Sequence, residues 1–292
     1  MTARSEAFRR VIERARAARG VALMGVCNVT PDSFSDGGRH FDARAARDRV
    51  DELLAEGADV VDVGGESTRP GAPAVPAAEQ IARVLEVVRH AVRRGACVSL
   101  DTTSAQVAAA CLDAGACAVN DVSCLRDEAL AGVVAASGAA LVLMHARGTQ
   151  EQMRGFSQYP DAAYDDVVRD VLGEWERAAG RAVAAGVPRT ALLMDPGLGF
   201  AKNARHSAEL LARASELVRA VDVPVLVGAS RKSFLAAAVD EAASPSERIG
   251  ASIAAALHAV RAGVAVLRVH DVRATRQAID LAGHLAGLEG GP

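Results

Sequence analysis

ALMGVCN, residues 22–28, is a run of small and branched apolar residues that ends on an asparagine, and the polar, glycine-tipped stretch VTPDSFSDGG, residues 29–38, follows it with no helix between. Seven further runs repeat the pattern: DVVDVGG (59–65), CVSLDTT (97–103), AVNDVS (118–123), ALVLMH (140–145), ALLMDPG (191–197), VPVLVGAS (223–230) and VAVLRVHD (264–271). Each is continuously apolar rather than alternating, as parallel strands covered on both faces are. The stretches between them carry helical spacing, among them AARDRVDELLAEG (45–57), AAEQIARVLEVVRHAVRRG (77–95), SAQVAAACLDAG (104–115) and SELVRA (215–220). Several end in a glycine suited to a helix C-cap. Eight strand-and-helix units predict a (β/α)8 TIM barrel, with a doubly wound open sheet as the alternative. One barrel domain is expected over 21–287. An extension, 1–20, whose arginine and alanine content reads as an exposed helix, precedes it, and a short tail, 288–292, follows.

Composition narrows the partners. A chain of 292 residues with 50% hydrophobic content can fill one large core. Its net charge of −3, from 33 basic and 36 acidic residues, lacks the basic field of nucleic-acid or anionic-membrane binders, so small-molecule substrates are expected. No uncharged apolar run reaches the roughly 18 residues of a membrane span, and the first 20 residues lack a signal peptide's apolar centre, which makes the cytoplasm the expected location. Five cysteines without CxxC spacing read as small reduced core residues, and seven scattered histidines without an HExxH pair make a protein-only metal site unexpected.

Nearly every run turns polar at its last residues: Asn28, Glu66 with Ser67, Asp101, Asn120 with Asp121, His145, Asp195, Ser230 with Arg231 and Lys232, and Arg268 with His270 and Asp271. In a barrel those ends meet on the face where such folds build their sites. Any one of them taken alone reads equally well as a cap for the next helix. Asp101, Asn120 and Asp195 are acceptors for a flat heterocycle with N–H donors, and Lys232 adds a donor for a ring carbonyl or nitrogen. Asp195 also opens DPG, a turn signature, and that reading stays open. Arg268 and His270, two apart on one strand, join Arg69 in a cationic cluster fit for a phosphate-like group, or pair with local carboxylates such as Asp271. The strand-to-helix passage GASRKSFL (228–235) offers backbone N–H groups near Ser233 to a second anion.

NVTPDSFSDGG (28–38), DVGGESTRPGA (62–72), NDVS (120–123), LMH (143–145), DPGLGFAK (195–202), GASRKSFL (228–235) and RVHDV (268–272) resemble, in this order, the dihydropteroate synthases, sulfonamide-blocked folate-pathway enzymes of the pterin-binding family. The resemblance implies a (β/α)8 barrel, a homodimer, and condensation of 6-hydroxymethyl-7,8-dihydropterin diphosphate with 4-aminobenzoate to 7,8-dihydropteroate and pyrophosphate. Carried over by position, Asp101, Asn120, Asp195 and Lys232 hold the pterin, with Met144 and Phe200 packing near the ring. Asn28 meets Mg2+ and pyrophosphate, and Thr68, Arg69, Arg268 and His270 meet phosphate oxygens. Phe34, Pro70 and Ser233 form the 4-aminobenzoate subsite, and residues 30–38 act as a lid hinged at glycines 37 and 38. Asp101, Lys232, Arg268 and His270 are the catalytic candidates. Ser104, Cys124 and Ser207 depart from the family pattern; the first two adjoin pterin-holding strand ends, where they could alter the pocket rim. A methyltetrahydrofolate methyltransferase, another pterin-binding barrel, has no need of the pyrophosphate elements, and a non-catalytic pterin-binding paralogue is the alternative of a different class.

Overall fold

Each of the eight apolar runs contributes a parallel strand in the computed structural model of the chain, which describes residues 3–30, 43–67, 74–148, 159–239 and 242–289. The strands are β1 (Ala22–Asn28), β2 (Val60–Gly64), β3 (Cys97–Asp101), β4 (Ala118–Asp121), β5 (Ala140–Met144), β6 (Leu192–Asp195), β7 (Leu226–Val227) and β8 (Val266–Val269). They pair in the order β6-β5-β4-β3-β2-β1-β8-β7. A parallel bridge between Met194 and Val225 joins the two ends, with Met194 N–H donating to the Pro224 carbonyl at 2.9 Å. That closure makes a (β/α)8 barrel and removes the open-sheet alternative. Strand β7 is the shortest because Pro224 has no N–H for a ladder.

The principal helices are α1 (Ala3–Arg19), α2 (Ala43–Glu56), α3 (Ala77–Arg93), α4 (Ala105–Asp113), α5 (Glu128–Ser137), α6 (Val167–Ala184), α7 (Ala204–Ala212), α8 (Ala214–Ala220), α9 (Ser233–Val239), α10 (Ile249–Arg261) and α11 (Val272–Glu289). Their apolar stripes face the strands. In α3, Val84, Val87, Val88 and Ala91 are buried at helical spacing, and with Val63, Val98 and Leu100 they belong to the layer between barrel and helices. Among the described residues no helix is long and apolar enough to cross a membrane.

The barrel interior has two ends with opposite chemistry. At the N-terminal end Met24, Ala118, Ala140, Val142, Leu226 and Ala265 pack with Phe8, Ile12 and Ala15 of α1. The extension is therefore a helix, but it is not the exposed one its arginines suggest. Phe8, Ile12 and Ala15, spaced four and three apart, are buried, while Arg9, Arg10, Arg14 and Arg16 are exposed. Arg19 and Asp59 fasten the end of α1, with Arg19 Nη2 2.5 Å from Asp59 Oδ1 and Leu23 N–H donating to Asp59 Oδ2 at 2.8 Å. At the C-terminal end the interior is lined by Asp62, Ser99, Asp101, Asn120 and Arg268 instead.

Candidate active site

Strand register sets the site. Asn28 pairs with Gly64, Gly64 with Asp101 and Asp101 with Asn120, so the polar ends of β1, β3 and β4 form one row across the mouth. Gly64 carries no side chain in that row because a Cβ there would crowd the Asp101 Cβ at 3.3 Å. One layer deeper lies Asp62, fully buried in mid-strand. Its Oδ2 accepts from Arg268 Nε at 2.7 Å and from Asn120 Nδ2 at 3.1 Å, while Arg268 Nη2 donates to Asp101 Oδ2 at 2.7 Å.

This floor uses only two of its side-chain acceptors, Asp62 Oδ2 and Asp101 Oδ2. Asp62 Oδ1, Asp101 Oδ1, Asn120 Oδ1 and Ser99 Oγ are buried with no hydrogen-bond partner among the described residues. Leaving such a group unpaired costs about 1–3 kcal/mol, so a ligand rich in N–H donors is favoured there. Burial pushes the Asp101 carboxyl up to about 7, with Arg268 opposing and Asp62 adding to the rise. Burial works against the Arg268 cation, but Asp62 and Asp101 more than offset it and hold its proton more tightly than usual.

The wall is built by β5, β6 and the loop after β6. Met144, Phe200, Val122 and Ala146 form a separate apolar cluster at the mouth, with Cys124 packed against it. Asp195 takes Gly197 N–H on Oδ1 at 2.7 Å, so it does shape its DPG turn; burial pushes its carboxyl up, and Lys232 opposes that. Lys232 Nζ donates to the Leu198 carbonyl and lies 4.7 Å from the Phe200 ring centroid; burial pulls it down to about 8, with Asp195 opposing.

A second network holds that loop from behind. The fully buried Lys202 Nζ lies 2.8 Å from His145 Nδ1, 3.1 Å from the Gly197 carbonyl and 3.0 Å from the Phe200 carbonyl. Three acceptors match an ammonium's three N–H groups. Burial pulls Lys202 down to about 7, and burial with Lys202 beside it pulls His145 down to about 4. His145 is thus neutral, accepting at Nδ1 and donating from Nε2 to Glu174 Oε2 at 2.9 Å. Gly197 has φ +68°, and a Cβ there would overlap the His145 carbonyl oxygen, so only glycine fits.

Most of the residues expected in the site are brought together. Asp101, Asn120 and Arg268 meet at the floor, and Asp195, Lys232, Met144 and Phe200 at the wall beside them. Asn28 stands half-buried at the rim, and Ser233 opens α9 with its Oγ buried and without a partner among the described residues. The expected cationic cluster has one cation fewer than its composition suggests. Burial, with Arg268 and Arg231 adding to it, pulls His270 down to about 3, and its Nδ1 lies 3.1 Å from Ser230 Oγ. Asp271 pairs with Arg231 rather than with Arg268. Phe34, Thr68, Arg69, Pro70 and the lid's residues 31–38 lie outside the described residues. Other polar strand-end residues serve the scaffold. Glu66 accepts from Val75 N–H at 2.6 Å and Gln80 Nε2 at 3.3 Å, and Asp121 accepts from Ser123 and Leu125. The departures from the family pattern are accommodated: Ser104 caps α4, Cys124 adopts φ +62°, and Ser207 Oγ donates to the Asn203 carbonyl and accepts from Gly199 N–H.

The closed barrel pools unpaired acceptors over a pinned arginine at its strand ends, and the family model described as pterin binding enzyme matches residues 24–270: the chain belongs to that family. Within it, the chain is 45% identical over 278 residues to the dihydropteroate synthase of Mycobacterium leprae, covering 93% of this chain and 95% of that one. The solved dihydropteroate synthase of Xanthomonas albilineans with 4-aminobenzoic acid superposes with a TM-score of 0.83 at 39% identity, over 93% of this chain and 94% of that one. The same enzyme in complex with 7,8-dihydropteroate gives a TM-score of 0.79 at 36% identity, over 93% and 95%.

Proposed function

We infer that this chain is a dihydropteroate synthase, joining 6-hydroxymethyl-7,8-dihydropterin diphosphate to 4-aminobenzoate with release of pyrophosphate. The observation that carries the reading is the floor of buried, unpaired acceptors on Asp62, Asp101 and Asn120 beside Arg268, for which a flat dihydropterin has the matching N–H groups. The names of its relatives and the molecules bound to them support the same substrates.

Asp101, Asn120 and Asp195 accept from the pterin, Lys232 donates to its ring carbonyl or nitrogen, and Met144 and Phe200 cover a face. The C–O bond to the diphosphate breaks first, its electron pair leaving with pyrophosphate, and the pterin methylene carries the resulting positive charge. Carboxylates held in a buried site stabilise that charge where it develops. The arylamine, neutral at pH 7, then attacks the methylene carbon and loses a proton, so no strong base is needed.

Asn28, Thr68, Arg69, Arg268 and His270 serve the diphosphate; His270 does so as a neutral hydrogen-bonding group, and Arg268 with the N–H groups its carboxylates leave over. The Asn28 carboxamide oxygen at the rim is a hard donor of the kind Mg2+ takes, and Mg2+ characteristically combines one or two protein oxygens with water and phosphate oxygens. Bound there, Mg2+ would neutralise charge on the leaving pyrophosphate. Phe34, Pro70 and Ser233 form the 4-aminobenzoate subsite, where the unpartnered Ser233 Oγ suits the carboxylate. By the same resemblance the chain is a cytoplasmic homodimer, which sedimentation of the purified protein checks for the second point. Mass-spectrometric detection of 7,8-dihydropteroate from the two substrates is the expected result; a folded protein that binds the pterin diphosphate and forms no product would instead be a pterin-binding protein of another kind.

A further inference from the structure

The five cysteines are all free, and two of them stand apart from the rest. Cys97 opens β3 and Cys117 immediately precedes β4, the neighbouring strand, so the two lie at the base of the strands that carry Asp101 and Asn120 at their other ends. Their Sγ atoms are 2.8 Å apart. The backbone around them is fixed: Cys117 N–H donates to the Val98 carbonyl at 2.9 Å, and Cys117 Sγ lies 3.2 Å from that oxygen. Both side chains belong to the apolar cluster under α1, with Phe8, Val11 and Ile12, Cys117 buried and Cys97 half-buried.

From this juxtaposition we propose that Cys97 and Cys117 form an oxidative modification site, closing to an intrachain disulfide at the base of the barrel when the protein meets a peroxide. Adjacent strands lie about 4.8 Å apart, within the reach of a disulfide between side chains that already face each other. The step balances as two thiols and one hydrogen peroxide giving a disulfide and two waters. One of the two thiolates attacks a peroxide oxygen, breaking the O–O bond and becoming a sulfenic acid, and the hydroxide released takes up that thiol's proton as the first water. The partner thiol's sulfur then displaces the sulfenic hydroxyl, which leaves with that thiol's proton as the second water. Both sulfurs are oxidised and both peroxide oxygens reduced. The Cys97 hydrogen bond lowers the Cys117 thiol against the opposing effect of burial, with Arg4 adding to the lowering. Burial pushes Cys27 and Cys111 up to about 12, which leaves them poor nucleophiles at neutral pH. The bond would lock the offset of β3 against β4 beneath α1.

The test uses the full-length reduced protein, treated with one equivalent of hydrogen peroxide, denatured, alkylated and weighed intact, then digested without reductant. The expected result is the loss of two hydrogens, two fewer alkylatable thiols, and a single linked peptide pair containing Cys97 and Cys117. Cys97→Ser, shown folded by its circular dichroism, should form no intrachain link. Oxygen addition without loss of two hydrogens in the wild-type chain, linkage through Cys27, Cys111 or Cys124, or covalent dimers in place of the intrachain link would each overturn the proposal; the wild-type measurement alone suffices if the variant does not fold.

Discussion

Replacing Asp62 by alanine tests the central electrostatic device of the site, because one carboxylate oxygen there holds both Arg268 and Asn120. Removing one partner of a buried ion pair costs about 3–5 kcal/mol. Two features push Asp62→Ala to the low end: Arg268 keeps Asp101 through Nη2, and the unpaired Asp62 Oδ1 disappears with its side chain. About 3 kcal/mol is expected, which at roughly 2–4 °C per kcal/mol lowers the unfolding midpoint by about 6–12 °C. Arg268→Met should destabilise as well, because it strands Asp62 and Asp101 as neighbouring buried carboxylates. The double variant should be milder than the sum of the two by about 1–3 kcal/mol, since the first change removes the charge that the second would leave unpaired. Urea unfolding of the four proteins provides the cycle, and the KM for the pterin diphosphate should rise in Asp62→Ala as Arg268 and Asn120 lose their common anchor. Single effects that add to within about 0.5 kcal/mol would show that Asp62 and Arg268 are not coupled and that this contact does not anchor the site.

Further outcomes follow from individual contacts. The Asp101 carboxyl is raised from 3.8 to about 7 in the folded chain, so its stabilising contribution is fully present below about pH 4 and is lost as pH rises through 7, whereas a pterin N–H needs the carboxylate. Pterin binding should therefore release a proton at pH 6 and tighten as pH rises to about 7; titration calorimetry in two buffers of different ionisation enthalpy reads this, and equal proton release by Asp101→Asn would refute the assignment. Lys202→Met leaves His145 Nδ1 and two loop carbonyls unpaired, at about 1–3 kcal/mol each less the relief of the buried ammonium, and should lower stability while raising the pterin KM more than it lowers kcat. Gly197→Ala, which needs a left-handed alanine overlapping the His145 carbonyl, should distort the wall carrying Phe200 and cut kcat/KM by at least about tenfold, a loss of roughly 1.4 kcal/mol in transition-state stabilisation. Phe8→Ala should cost about 3–5 kcal/mol by emptying the plug at the barrel base, with little effect on kcat.

The barrel was legible because its strands are buried on both faces, which writes each as an unbroken apolar run, and because the polar residues sit at one end only. β7 was legible as a run but not in its length, since Pro224 removes the donor that would extend it. The arginines of the plug helix suggest exposure, and Phe8, Ile12 and Ala15 do carry the spacing of a buried stripe, but what they bury against is set by the small residues inside the barrel, Ala118, Ala140 and Ala265, far along the chain. Asp101, Asn120 and Arg268 were legible as strand-end residues. Asp62 was not, because in VVDVG it lies two residues short of the end and only the closed barrel turns it toward Arg268. Lys202 lay in a loop of DPGLGFAK, and the signal missed was a lysine with no nearby acidic residue in sequence beyond Asp195; its acceptors are a histidine and two carbonyls.

Pyrophosphate release by the purified protein, with Mg2+ and the dihydropterin diphosphate, with and without 4-aminobenzoate, tests the account most directly. Release that depends on the arylamine and matches dihydropteroate formation one for one is the predicted result. A folded protein that binds the dihydropterin diphosphate yet releases no pyrophosphate in either condition would contradict it.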